Sequence, residues 1–102
     1  MKMTLVVAFA TVLAVAAGSA IAGDAAAGKA KFGICAGCHG PTGAGNEALK
    51  YPKLAGRDAA FVGAQLRAFK SGARDNATMK AMAAGLTETD MDNLAAYIAT
   101  LR

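Results

Sequence analysis

The stretch Cys35-Ala36-Gly37-Cys38-His39 constrains this chain more than any other part of it. Thiols three positions apart on a helical turn share one face. They can add to the two vinyl groups of one porphyrin, and His39, next in line, can present an imidazole to the iron from the same side. C-x-x-C-H is the attachment sequence of a c-type haem. Covalent attachment would fix the cofactor to a chain too short to enclose it otherwise.

The same residues admit other chemistry. Structural zinc takes four ligands, usually Cys or His, and Cys35, Cys38 and His39 are the only residues of those types here. A zinc site would need carboxylates or a second chain. C-x-x-C also serves as a redox dithiol or a plain disulfide. The dithiol wants a βαβ setting, and no segment of this sequence alternates with period two for long. Haem attachment is the favoured reading of the three.

The first residues read as a cleaved secretory signal peptide, residues 1–22. Met1-Lys2-Met3 supplies a positive start, Thr4 to Ala17 an uncharged apolar run, and Ala20-Ile21-Ala22 an A-x-A cleavage site. The run is marginal for a membrane span, which needs ~20 apolar residues. Cleavage after Ala22 would leave one domain, residues 23–102, in the periplasm. In an oxidising compartment the two thiols would pair unless haem captures them. A domain of about 80 residues buries a modest core and commonly needs a staple or cofactor, which a haem would supply.

The whole chain carries a net charge of +4, or +3 once Lys2 leaves, and haem propionates would lower that further. There is no dense run of Lys or Arg. Two Tyr and three Phe residues after the leader give little stacking capacity, so nucleic-acid binding is excluded.

Helical signals recur between Gly- and Pro-rich breaks. Asp24 to Phe32 opens with an acidic residue suited to a helix start. Gly28 is costly inside such a helix and lets another backbone come close. His39 to Gly45 and Lys50 to Gly56 read as loops, with Pro52 pushing Tyr51 out of helical geometry. Arg57 to Lys70 carries an apolar stripe of Phe61, Val62, Leu66 and Phe69, interrupted by Gln65, with Asp58 as a cap. The last helix is the clearest. Thr87-Glu88-Thr89-Asp90 fits a capping box, and Met91, Leu94, Ala95, Ile98 and Leu101 follow at helical spacing. The fold class is all-α.

An iron held by His39 has a second axial position, and the sequence has no other His to fill it. Met91 belongs to the apolar face of the last helix. Met79 and Met82 lie between Gly72 and Gly85, behind a stretch with little regular structure that can wrap the far face of a haem.

Taken together, these features resemble the small bacterial mono-haem class I cytochromes c. The resemblance runs over essentially all of Gly23 to Arg102. It rests on Gly28 and Phe32, the Cys35–His39 motif with Gly40, Pro52-x-Leu54-x-Gly56, Asn76 to Met82, and Leu86-Thr87 through Tyr97. It implies about four helices wrapped around one covalently bound haem c. Cys35 and Cys38 would form the thioethers and His39 would bind iron. The Pro52 carbonyl would orient the imidazole, and Leu54 would pack on the haem. Gly28 and Phe32 would meet Leu94 and Tyr97 where the first and last helices cross. The ligating methionine of this group stands about seven residues before the hydrophobic residue opening the last helix, here Leu86. That count selects Met79 and leaves Met82 as packing. The Trp that some relatives use near a propionate is missing.

The function implied is that of a soluble periplasmic one-electron carrier, not an enzyme. It would shuttle between respiratory or other redox partners: membrane-bound or soluble oxidases, reductases or dehydrogenases, met in transient complexes. Lys50, Lys53, Arg67, Lys70 and Lys80 are candidates for a basic rim that would face an acidic docking surface. An open sixth position with a distal acid or base would instead mark a haem enzyme or gas-binding protein.

Overall fold

The computed structural model of the chain describes residues 2–4 and 23–102. The cleavage segment expected at residues 1–22 lies outside the described residues, apart from Lys2, Met3 and Thr4. Five helices follow: α1 (Ala25–Lys31), α2 (Gly33–His39), α3 (Ala59–Ser71), α4 (Ala77–Ala84) and α5 (Glu88–Ile98), with a 3-10 turn at Glu47–Leu49. Among the described residues the only strand-like pairing is an isolated bridge between Asn46 and Tyr51. The all-α expectation holds. One helix more than the expected four is present, because Met79 and Met82 lie on a helix of their own. The irregular stretch is confined to the residues between Gly72 and Asn76.

Four of the five helices start at a side chain that satisfies amides the helix leaves free, and α2 follows Phe32 with no such cap. Asp24 accepts from the Ala26 and Ala27 amides at 2.9 and 3.3 Å. Asp58 accepts from Phe61 at 2.7 Å, and Asn76 from Met79 at 2.9 Å. Thr87 and Asp90 exchange both bonds of a capping box at 3.0 Å. Gly72, at φ 84°, ends α3.

The core forms where the ends of the chain meet. α1 crosses α5, α5 packs on α3, α3 packs on α4, and α2 packs only on α1. Gly28 makes the α1–α5 crossing possible: a Cβ there would stand 1.9 Å from the Asn93 carbonyl oxygen and 2.9 Å from the Tyr97 Cβ. Its close neighbours are therefore Asn93 and Tyr97, rather than Leu94. Phe32 meets the Tyr97 ring edge-on at 5.2 Å, and Leu94 is fully buried in the same cluster. Burying such a leucine contributes about 1.5–3 kcal/mol.

Ionic contacts add fastening at the rim. Arg67 on α3 donates to Glu88 at 2.7 Å and to Asp92 at 2.5 Å, both on α5. Lys31 reaches Asp90 at 3.5 Å. Such surface pairs contribute about 0–1 kcal/mol each. Among the described residues, no helix is long and apolar enough to cross a membrane.

Candidate functional site

α2 ends at His39 because Gly40 adopts φ 84°, where the chain leaves the helix. His39 is buried, with 7% of its surface exposed. The loop then returns, and its Pro52 carbonyl sits 2.8 Å from His39 Nδ1. A proline carbonyl can only accept, so Nδ1 carries the proton and donates it. In the neutral ring Nε2 then keeps its lone pair, the tautomer a metal requires. The expected pairing of His39 with Pro52 is thus present.

α2 and α3 do not pack on one another. Between them opens a cavity of about 440 Å³, within the ~300–1,000 Å³ usual for a small-molecule or cofactor site. Cys35, Cys38 and His39 line one side, and Met79 and Met82 on α4 also line it. Pro52 and Leu54 border the same space, and α3 adds apolar side chains including Phe61, Val62 and Leu66. All six sequence-selected site residues therefore converge on one cavity. Met79 is half-buried and packs against the core, whereas Met82 is 40% exposed.

The thiols are unbridged. Cys35 is half-buried, and burial pushes its thiol pKa up, with Cys38 nearby adding to the rise. Cys38 is exposed. Among the described residues no three His, Cys, Asp or Glu side chains gather as a metal-binding group. The donor set instead fits a haem: two thiols three positions apart, a histidine with a free Nε2, a thioether, and a largely apolar slot between them.

Of the five cations considered for a rim, only Lys50 and Lys53 border the cavity. Arg67 is engaged by Glu88 and Asp92, and those two carboxylates raise its pKa. The Lys70 ammonium donates to the Leu86 carbonyl. Lys80 is exposed and does not border the cavity. Two cations the sequence reading missed do border it. Arg57 lies 5.1 Å above the Phe61 ring. Arg74 lies 4.6 Å above Phe69 and donates to Gln65 at 2.6 Å. Gln65, which seemed to interrupt the apolar stripe of α3, faces this cavity too. Among the described residues, no carboxylate side chain lines it.

Residues 25–102 match the Cytochrome c family model. The chain is 47% identical over a 95-residue alignment to cytochrome c-554(547) of Halothiobacillus neapolitanus, covering 79% of this chain and all of that one. It is 42% identical over 77 residues to a thiosulfate dehydrogenase electron acceptor of Thiomonas intermedia, covering 76% of this chain and 36% of that one. Its fold superposes on reduced cytochrome c4 of Pseudomonas stutzeri with a TM-score of 0.73 and 35% identity, covering 76% of this chain and 48% of that chain. The chain thus spans about a third of one of these relatives and about half of another. It belongs to the cytochrome c family, whose members hold haem c covalently, and it is an electron carrier rather than an enzyme.

Proposed function

We propose that the chain is exported, cleaved after Ala22, and carries one haem, bound through Cys35 and Cys38, with His39 and Met79 as iron ligands. The observation that carries the reading is the convergence of both thiols, the His39 imidazole and the Met79 thioether on one apolar cavity. The bound haem supplies one-electron chemistry at its iron. The protein's part is to hold both ligands still. Pro52 fixes the ring plane and tautomer of His39 and raises its basicity. Asn76 caps α4, which also packs on α3, and so holds Met79. Val62 and Leu66 exclude water from the cavity wall. Ligands that do not move on reduction cost little reorganisation. Met79 is preferred over Met82 because it is the more buried of the two, as a ligand facing inward should be.

The electron port is the open face of the cavity. Lys50, Lys53 and Arg57 border it, which suits a partner with an acidic docking surface met briefly in the periplasm. The Thiomonas intermedia relative, named an electron acceptor of thiosulfate dehydrogenase, points to a redox enzyme as the donor class.

Mass spectrometry of the exported protein should give Gly23–Arg102 plus one haem. Met79→Ala should abolish the weak sulfur-to-iron absorbance band and open the iron to carbon monoxide, while Met82→Ala keeps the band. The reverse pattern moves the ligand to Met82. A mature chain with no haem removes the reading altogether.

A further inference from the structure

The loop that brings Pro52 to His39 is a closed circuit of backbone bonds. The Gly45 amide donates to the His39 carbonyl at 2.8 Å. Asn46 and Tyr51 exchange amide-to-carbonyl bonds in both directions, at 2.8 and 2.9 Å. Pro52 follows Tyr51, and its carbonyl accepts from His39 Nδ1 at 2.8 Å, which closes the ring. Gly45 is the tightest point of this circuit. A Cβ there would stand 2.5 Å from the Tyr51 oxygen, 2.7 Å from the Lys53 amide nitrogen and 2.7 Å from the Pro52 carbonyl carbon. All three are backbone atoms, so no flexible side chain can give way. Gly45 also has φ 71°, a conformation that disfavours any side chain.

We propose that Gly45 is a positioning residue for the iron ligand: the missing side chain at 45 sets the His39–Pro52 hydrogen bond. Ordinary contact begins near 3.4 Å. A Cβ must therefore open the gap to the Pro52 carbonyl carbon by about 0.7 Å, given the 2.7 Å separation. Gly45 is tied to His39 through the first bond of the circuit, so relief of the clash shifts Pro52 relative to His39. A bond of 2.8 Å stretched by that amount leaves the hydrogen-bonding range, ~2.7–3.2 Å. His39 then becomes a weaker donor from Nε2, which favours ferrous over ferric iron. The proposal rests on His39 holding iron, and the two can fail separately: absence of a Soret band refutes the haem reading, whereas the tests below are made on haem-loaded protein.

The test compares Gly45→Ala with Gly72→Ala. Gly72 has φ 84°, so both variants carry the same kind of backbone strain, but a side chain at 72 meets only the Lys80 side chain. Gly45→Ala should shift the redox equilibrium about tenfold toward the reduced form, which is ~59 mV for one electron. It should also speed solvent exchange of the His39 Nδ1 proton, seen by NMR of the reduced protein. Gly72→Ala should lose stability and leave both readouts alone. An unchanged midpoint potential in Gly45→Ala, or an equal shift in Gly72→Ala, overturns the proposal. If Gly45→Ala does not fold, the unaltered protein supplies the decision. The His39 Nδ1 proton and the Gly45 and Tyr51 amides should then open as one unit in native-state hydrogen exchange. Exchange of Nδ1 independent of those amides overturns the proposal as well.

Discussion

Gly28→Ala sets two physical effects against each other at one atom. By helix propensity alone, alanine inside α1 should stabilise the protein by about 1 kcal/mol. The crossing with α5 opposes it. The new Cβ would lie 1.9 Å from the Asn93 carbonyl oxygen, a backbone atom in the middle of a helix. Carbon and oxygen settle near 3.3–3.6 Å, so α1 must retreat by about 1.4 Å. Even a 0.5–1 Å gap forfeits a quarter to a half of each dispersion contact across it. The retreat loosens the Phe32–Tyr97 pair and the bond from the Asp24 amide to Asn93, now 2.8 Å. Overpacking of this kind costs about 1–3 kcal/mol and sometimes more. Because the obstacle is rigid, we expect a cost at or above the top of that range and a net loss of about 2 kcal/mol or more after the propensity gain. In a domain of this size that lowers the melting temperature by roughly 8–16 °C. Thermal unfolding of the haem-loaded protein, followed by helix circular dichroism, measures it. Gly33→Ala is the control: nothing lies within 4 Å of its added methyl, and it should stabilise by a few tenths to ~1 kcal/mol. A Gly28→Ala protein as stable as its parent would mean that α1 and α5 do not cross this closely, and the argument would fall.

Leu94→Ala should cost about 2–5 kcal/mol in the same assay, because Leu94 on α5 is fully buried in the core and backs the cavity wall; a loss below ~1 kcal/mol would show that the site collapses freely. Asp90 is held below the ordinary carboxylate range first by the Thr87 backbone amide, with the Thr87 side chain and Lys31 assisting. Its contribution is present above the ordinary carboxylate pKa and is lost as pH falls through its lowered folded-state value, so Asp90→Asn should flatten the acid limb of a stability profile; an unchanged limb refutes this. Replacing Cys35 and Cys38 together by Ala should leave a chain of low helicity, and a cooperatively melting haem-free domain with native helix content would contradict it. Reversing the charge of Lys50 and Lys53 should slow electron exchange with a physiological partner at low salt, the deficit shrinking as screening shortens to ~8 Å; an unchanged rate at low salt would assign docking to the apolar side chains instead.

The parts of this fold legible in the sequence are those fixed by local chemistry. Thr87 and Asp90 announce the start of α5 within four residues, and Asp58 does the same for α3. The spacing of Cys35, Cys38 and His39 narrows their chemistry to a few choices, with haem attachment favoured. What was hidden depends on distant partners. Arg67 reads as a free surface cation until α5 brings Glu88 and Asp92 to it, and Arg57 and Arg74 show their place only once Phe61 and Phe69 lie beneath them. Gln65 interrupts an apolar stripe on paper, yet in space that stripe divides between core and cavity. α4 was detectable in part: Ala77 to Ala84 is dominated by strong helix formers behind an Asn cap. Its two methionines drew attention as ligands, and the backbone beneath them as a wrapping segment, so the helix that carries them was missed.

The closing contact of this molecule joins residues 69 positions apart, the Asp24 amide and the Asn93 side chain. α5 follows every other described helix in the chain, and α1 otherwise packs only on the short α2. The core therefore cannot close until α5 has been made. The segment that carries Cys35, Cys38 and His39, by contrast, finds its hydrogen-bond partners nearby: the longest bond within Phe32 to Ala55 joins His39 to Pro52, 13 positions apart. Until α5 arrives, Cys35 and Cys38 sit on a chain still open at one wall. Leu94 and Ile98 of α5 then complete the cavity wall, so the order of the chain is also the order in which the site closes.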